Sequence, residues 1–182
     1  MSSIEHQPQI VETGMSNHAA PAEHTIACGS EQATETLAQR LAGSDALAHA
    51  AIHLHGDLGA GKTTFVRLLL RALGVTGRIK SPSYAIVEPH TTPARPAWPQ
   101  GLTVSHFDFY RFSNPREWED AGLRELFAAP GLKLVEWPEK AAGYLPLPDL
   151  DITIDTLDDD TRMFRIRALT PTGKHLLETL DA

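Results

Sequence analysis

The chain has one cysteine, Cys28, among 182 residues. That excludes an internal disulfide and any zinc site built on several thiolates. A lone cysteine of this kind reads as a small buried residue rather than a nucleophile. No apolar run approaches the ~18 residues that a membrane-spanning helix needs, and the N-terminus lacks a basic stretch followed by an apolar one. Neither a membrane span nor a secretory leader is expected, and with one cysteine this points to the cytoplasm. Positive charge is not in excess: 16 Lys and Arg stand against 23 Asp and Glu, a net −7 with His neutral. A protein that grips nucleic acid unaided is usually basic, so any work on nucleic acid is expected to run through a partner. Arg67, Arg71, Arg78 and Lys80 are a local exception and read first as a solvated face. No G-x-S-x-G occurs, which removes a hydrolase elbow. His53 with His55, and His106 with Asp108, are too few for a definable zinc site.

What is present suits one compact domain, with 42% hydrophobic residues to build a core. Residues 1–23 show no periodicity and are expected to form a disordered tail, leaving 24–182 as a single domain. A strand is expected at His24–Cys28. Ser30 then reads as a helix N-cap with Glu31 in the first turn and Leu37 and Leu41 on the apolar stripe. Ala51–His55 reads as a buried strand. The helix carrying Phe65, Val66, Leu68, Leu69, Leu70 and Leu73 ends at Gly74. Tyr84–Val87 is a short strand candidate, and residues 89–101, with Pro89, Pro93, Pro96, Pro99 and Gly101, read as a loop without ladder capacity. Leu102–Phe107 alternates and ends at Asp108. Asn114 and Pro115 open a helix expected to run to about Phe127. Leu132–Val135 is a buried strand ending at Glu136. Asp151–Thr156 and Arg162–Ala168 read as a hairpin around Asp158-Asp159-Asp160, and a last helix spans about Thr172 to Leu180.

The segment Gly56-Asp57-Leu58-Gly59-Ala60-Gly61-Lys62-Thr63 matches G-x-x-x-x-G-K-[ST] between a strand and a helix, the setting of a phosphate-binding P-loop. Glycines let successive N–H groups turn toward phosphate oxygens, and the helix N-terminus adds its positive end. Gly59, Ala60, Gly61, Lys62, Thr63 and Thr64 are therefore expected to bind ATP, with Lys62 on the outer phosphates and Thr63 on Mg²⁺. A carboxylate at a neighbouring strand end must complete the Mg²⁺ site, and both Asp108 and Glu136 qualify. Lys80-Ser81-Pro82-Ser83-Tyr84 sits where switch loops sense the outermost phosphate. The guanine-reading Asn-Lys-x-Asp is missing, which favours adenine. The expected class is α/β with a P-loop NTPase fold: a mostly parallel central sheet, antiparallel edge strands and helices on both faces. The competing readings are a glycine turn beside an ordinary helix, and strand-end acids that merely cap turns.

These residues also resemble a known family. Gly56 to Phe65, Lys80-Ser81-Pro82-Ser83-Tyr84 with Val87-Glu88-Pro89, His106-Phe107-Asp108-Phe109-Tyr110-Arg111, and Val135-Glu136-Trp137-Pro138-Glu139 look like the motifs of bacterial TsaE proteins, in the same order. The resemblance runs from about Ser30 to the C-terminal helix. It implies a small ATPase of the machinery that makes N6-threonylcarbamoyladenosine in tRNA, working with a TsaB–TsaD complex that it resets between turnovers and reaching tRNA only through that complex. It further implies Mg²⁺ on Thr63 and Glu136, Asp108 as needed for activity, and Trp137 beside the metal carboxylate; Lys62, placed on the outer phosphates by the loop itself, is expected to act in catalysis with Asp108. Ser83 would serve as the switch hydroxyl where the family usually has Thr, and Ser30–Thr34 would approach the nucleobase. A small-molecule or nucleotide kinase on the same fold, and a sensor that binds ATP without hydrolysing it, are the alternatives. A kinase would need an acceptor pocket and a lid with phosphate-reading arginines, and Arg111, Arg116 and Arg124 do not form an evident lid. Lys62→Ala should sharply weaken nucleotide binding, because the loop loses its only cation; unchanged ADP and ATP affinity in a calorimetric titration would refute the phosphate-loop assignment.

Overall fold

The structure, a computed structural model, describes residues 21–82, 84–158 and 160–181. Of the tail expected over residues 1–23, residues 1–20 lie outside the described residues, as does Ser83, expected as the switch hydroxyl; Ala22 and Glu23 belong to a strand. Seven strands form one sheet: β1 (Ala22–Cys28), β2 (Ala51–His55), β3 (Val87–Thr91), β4 (Thr103–Asp108), β5 (Leu132–Glu136), β6 (Leu150–Thr156) and β7 (Arg162–Ala168). Their order is β1-β7-β6-β2-β5-β4-β3. The four inner strands β6, β2, β5 and β4 run parallel, while β7 and β1 on one side and β3 on the other pair antiparallel. Parallel strands need both faces covered. Leu132, Leu134, Ile52, Leu54 and Val104 pack with α1 (Glu31–Ala42), α2 (Lys62–Ala72) and α5 (Pro171–Glu178). The alternate residues Phe107 and Val135 meet Trp118 of α3 (Glu117–Asp120) and Phe127 of α4 (Leu123–Ala128). That second face is a chain of rings, with Phe107, Phe109, Phe112, Trp118 and Phe127 in tilted or edge contacts at 4.8–5.9 Å between centroids.

Several expectations hold as read. Ser30 caps α1, its hydroxyl accepting from the Ala33 amide at 3.1 Å, and Cys28 is buried. Arg71, Arg78 and Lys80 are exposed, while Arg67, the fourth of that cluster, is half-buried and lies 3.8 Å from Glu31. Three differ. First, β1 begins at Ala22, two residues before the expected strand. Second, β3 starts at Val87, the last residue of the Tyr84–Val87 candidate, and runs on into the stretch read as a loop: Pro89 pairs with Ser105 within a five-residue ladder, which is possible because an edge strand needs only one side of its backbone bonded. Tyr84 and Ala85 instead form a turn, closed by the Ile86 amide on the Pro82 carbonyl at 3.1 Å. Third, the single helix expected from Pro115 to Phe127 is two. Gly122, at φ 64°, breaks it between α3 and α4, and Glu117 accepts from the amides of Ser113 and Asn114 to open the first. Among the described residues no helix is long and apolar enough to cross a membrane.

Gly173 sits inside α5, where alanine is intrinsically preferred by about 1 kcal/mol. An ideal Cβ there would lie 1.9 Å from the Asp149 carbonyl oxygen. Asp149 is itself committed, accepting from the amide of Ala51 at 2.8 Å and from the Thr170 hydroxyl that caps α5. Gly173→Ala should therefore lower the unfolding free energy measured in urea by about 2 kcal/mol or more, against propensity; a neutral or stabilised variant would mean that α5 can move away from Asp149.

Candidate functional site

Between β2 and α2 the backbone turns at Gly56, Gly59 and Gly61, with φ of 139°, 82° and 110°. These angles belong to glycine, and over Gly59 an added Cβ would meet nothing within 4 Å. The loop thus lies open to an incoming group. Gly61 starts α2 with no side-chain cap, so the helix presents free N–H groups and its positive end toward that opening. Lys62 is 4% exposed. Its ammonium donates to the carbonyls of Gly56 (2.5 Å) and Asp57 (2.9 Å) and lies 3.9 Å from the centroid of the Trp137 ring. Burial pulls its pKa down, while Glu136, Glu139, Asp108 and Asp57 pull the other way. Lys62 forms no ion pair among the described residues, and a buried cation resting on neutral carbonyls is a ready partner for an anion.

The parallel register sets β4 and β5 level, with Asp108 opposite Glu136, and sets Glu136 opposite Leu54 of β2. Both acids therefore end beside the loop. Glu136 is only 2% exposed. The Thr63 hydroxyl donates to its two oxygens at 3.0 and 2.8 Å, and His106 Nε2 meets Oε1 at 2.8 Å. Asp108 is half-buried and accepts from the Tyr110 amide at 3.0 Å and from the Ser81 hydroxyl. Ser81 thus ties the segment after α2 to Asp108. A cavity of about 420 Å³ joins Gly59, Lys62, Thr63, Asp108, Glu136 and Trp137, with Arg111 at its rim. On the other side of the loop a smaller recess of about 190 Å³ is bounded by Ser30, Thr34, Gly61, Thr64 and Arg162. A hydroxyl and a carboxylate side by side are hard oxygen donors, suited to Mg²⁺.

Sequence reasoning missed three residues here. Arg162 reaches the loop from β7, its Nε 3.9 Å from where a Cβ on Gly61 would stand, and nothing local in the sequence announces that. His106 was weighed only as a zinc ligand; among the described residues no group of three or more potential ligands could hold a metal by itself. His55, next to Gly56, bridges two acids, with Nε2 2.6 Å from Asp151 Oδ1 and Nδ1 3.2 Å from Glu139 Oε2. Arg167 also pairs with Asp151.

The sequence model for the family described as "Threonylcarbamoyl adenosine biosynthesis protein TsaE" matches residues 28–164. The chain is 40% identical over 130 residues to the tRNA threonylcarbamoyladenosine biosynthesis protein TsaE of Haemophilus influenzae, which spans 71% of this chain and 77% of that protein. It is 36% identical over 128 residues to the protein of the same name from Bacillus subtilis, 70% of this chain and 75% of that one. A crystal structure titled as that of Bacillus subtilus YdiB superposes with a TM-score of 0.71 at 28% identity, covering 90% of this chain and 97% of the other.

The histidines of β2 make stability depend on pH from both sides. Hydrogen bonds to Asp151 and then Glu139 hold His55 up at about 9. The same contact, with Arg167, outweighs burial and holds Asp151 down at about 2, so the pair counts once. His55 therefore contributes stability in full below its unfolded value near 6.5, and that contribution is lost as pH rises through 9. Burial first of all pushes the neighbouring His53 down to about 4, so His53 costs stability as pH falls from 6.5 toward 4. Urea midpoints should peak near pH 6.5. His55→Gln should remove most of the alkaline limb, roughly 1–2 kcal/mol once solvent screening of a partly exposed ring is allowed for. An alkaline limb of undiminished depth in that variant would rule His55 out as its source.

Proposed function

The chain belongs to the TsaE family, and from that premise we propose that it is an ATP-hydrolysing subunit serving N6-threonylcarbamoyladenosine modification of tRNA in the cytoplasm. Its fold on this reading is that of a P-loop NTPase. The observation that carries the proposal is one contact: the hydroxyl of Thr63, the residue after the loop lysine, lies on the buried carboxylate of Glu136 at the end of the neighbouring parallel strand. A P-loop site needs that pair for its metal, and a fortuitous glycine turn would have no reason to bury a carboxylate there. The names carried by the Haemophilus influenzae and Bacillus subtilis relatives supply the pathway.

Thr63 and Glu136 would hold Mg²⁺, which when bound neutralises phosphate charge as the terminal bond breaks. Lys62 leaves the carbonyls of Gly56 and Asp57 for the phosphate oxygens, and the amides from Gly59 to Thr64 line the chain of phosphates. The recess between Ser30, Thr34 and Arg162 takes the nucleoside end. Asp108 orients the attacking water or links the switch segment to the outermost phosphate, because positioning dominates phosphoryl transfer. Trp137 covers Lys62 and keeps water from it. The partner is a TsaB–TsaD-type complex that ATP turnover resets, and the acidic chain meets tRNA only through that complex. A kinase acting on a small acceptor is the weaker reading, since phosphates on the loop would take up the cavity beside Lys62 and, among the described residues that line it, Arg111 is the one arginine. Phosphate release with and without the partner complex, together with a screen for phosphorylated acceptors, separates the two; acceptor phosphorylation would overturn the ATPase reading.

Asp108→Asn should leave ADP affinity within a few fold while cutting partner-stimulated hydrolysis by about 100-fold. Melting temperature and hydrolysis normalised to active sites, read on the same sample, check it. A lowered melting temperature with turnover intact would reduce Asp108 to a residue that caps the turn after β4.

A further inference from the structure

His106 has no role in the reading above. It lies in β4 with 0% exposure, between Val104 and Asp108, and its Nε2 is 2.8 Å from Glu136 Oε1. An ionised carboxylate can only accept, so Nε2 carries the hydrogen. The other ring nitrogen, Nδ1, is buried with no partner among the described residues. A buried unpaired polar atom costs stability, about 1–3 kcal/mol, and an apolar side chain of similar size would avoid that cost. Packing alone therefore does not account for an imidazole at this position.

The two oxygens of Glu136 are not equivalent. Thr63 reaches both, but His106 reaches Oε1 only. We propose that His106 is a positioning residue for Glu136: it holds Oε1 and thereby fixes the rotation of the carboxylate so that Oε2 stays turned to a cation held with Thr63. The inference rests on the Mg²⁺ reading given above. When the Thr63 oxygen turns to the cation, its hydroxyl no longer needs to hold the carboxylate, and among the described residues His106 is the one other side chain that donates to it. Partners of this kind orient the ligand and sharpen its affinity, and losing one typically weakens metal binding 10–100-fold.

The test compares two amides that differ only in reach. In His106→Gln the side-chain nitrogen can stand near the position of Nε2; in His106→Asn it stops near that of Nδ1. Calorimetry on the full chain gives ADP affinity with Mg²⁺ and with chelator, and their ratio measures how strongly metal and nucleotide are coupled. His106→Asn should lose about tenfold of that ratio, with His106→Gln within about threefold of wild type. Wild-type coupling in His106→Asn, or an equal loss in both variants, overturns the proposal and leaves His106 a packing residue. Glu136→Gln runs alongside: wild-type coupling there would bring down the metal reading itself, and this inference with it. Circular-dichroism melting of each variant excludes a loss caused by unfolding.

Discussion

One buried carboxylate organises the structure. Glu136 is nearly inaccessible to water, and a charge so placed must be met by donors or it neutralises. Those donors come from two other elements: Thr63 from the first turn of α2 and His106 from β4. Satisfying one group therefore ties the glycine loop, the helix after it and two adjacent strands to a single point. The parallel register makes this possible, since only strands running the same way bring their C-terminal ends to one edge. Lys62 is drawn into the same edge, where acids favour its charge while burial opposes it.

Much of this was legible because it is written in local pattern. The glycine spacing from Gly56 to Lys62, the buried run at Ala51–His55 and the strand endings at Asp108 and Glu136 each follow from neighbours in sequence, and each stands in the structure as read. What was not legible depended on partners far along the chain. Pro89 looked like an obstacle to pairing until β3 proved to be an edge strand. Gly122 could have been tolerated inside a helix; the turn it makes depends on how Trp118 and Phe127 meet the ring cluster. Arg162 and His55 gained their roles only through the sheet order that sets β6 beside β2 and β7 next to β6. Ser81 meets Asp108, a contact across 27 positions that a serine beside a proline does not announce in sequence.

The two faces of the sheet are built differently. On one, aliphatic residues of α1, α2 and α5 pack on the parallel strands; on the other, short helices are held by a chain of aromatic rings. Large rings let few residues cover much apolar area, which suits a face whose helices span only four and six residues. Trp137 packs against that aromatic cluster, against Tyr110 and over the Lys62 ammonium, so one ring links the aromatic face to the loop lysine.

The sheet order also bears on how the protein is made. β2, which carries the glycine loop, lies between β5 and β6. A ribosome releases chain in order, so β2 emerges with neither neighbour yet synthesised, and both its edges stay unpaired until Leu132–Glu136 and then Leu150–Thr156 follow. The hairpin of β6 and β7 can close as soon as it leaves the exit tunnel, whereas the nucleotide edge, early in sequence, is completed late. A nascent chain arrested before Glu136 would hold every residue of the loop and still lack the carboxylate that gives the loop its shape.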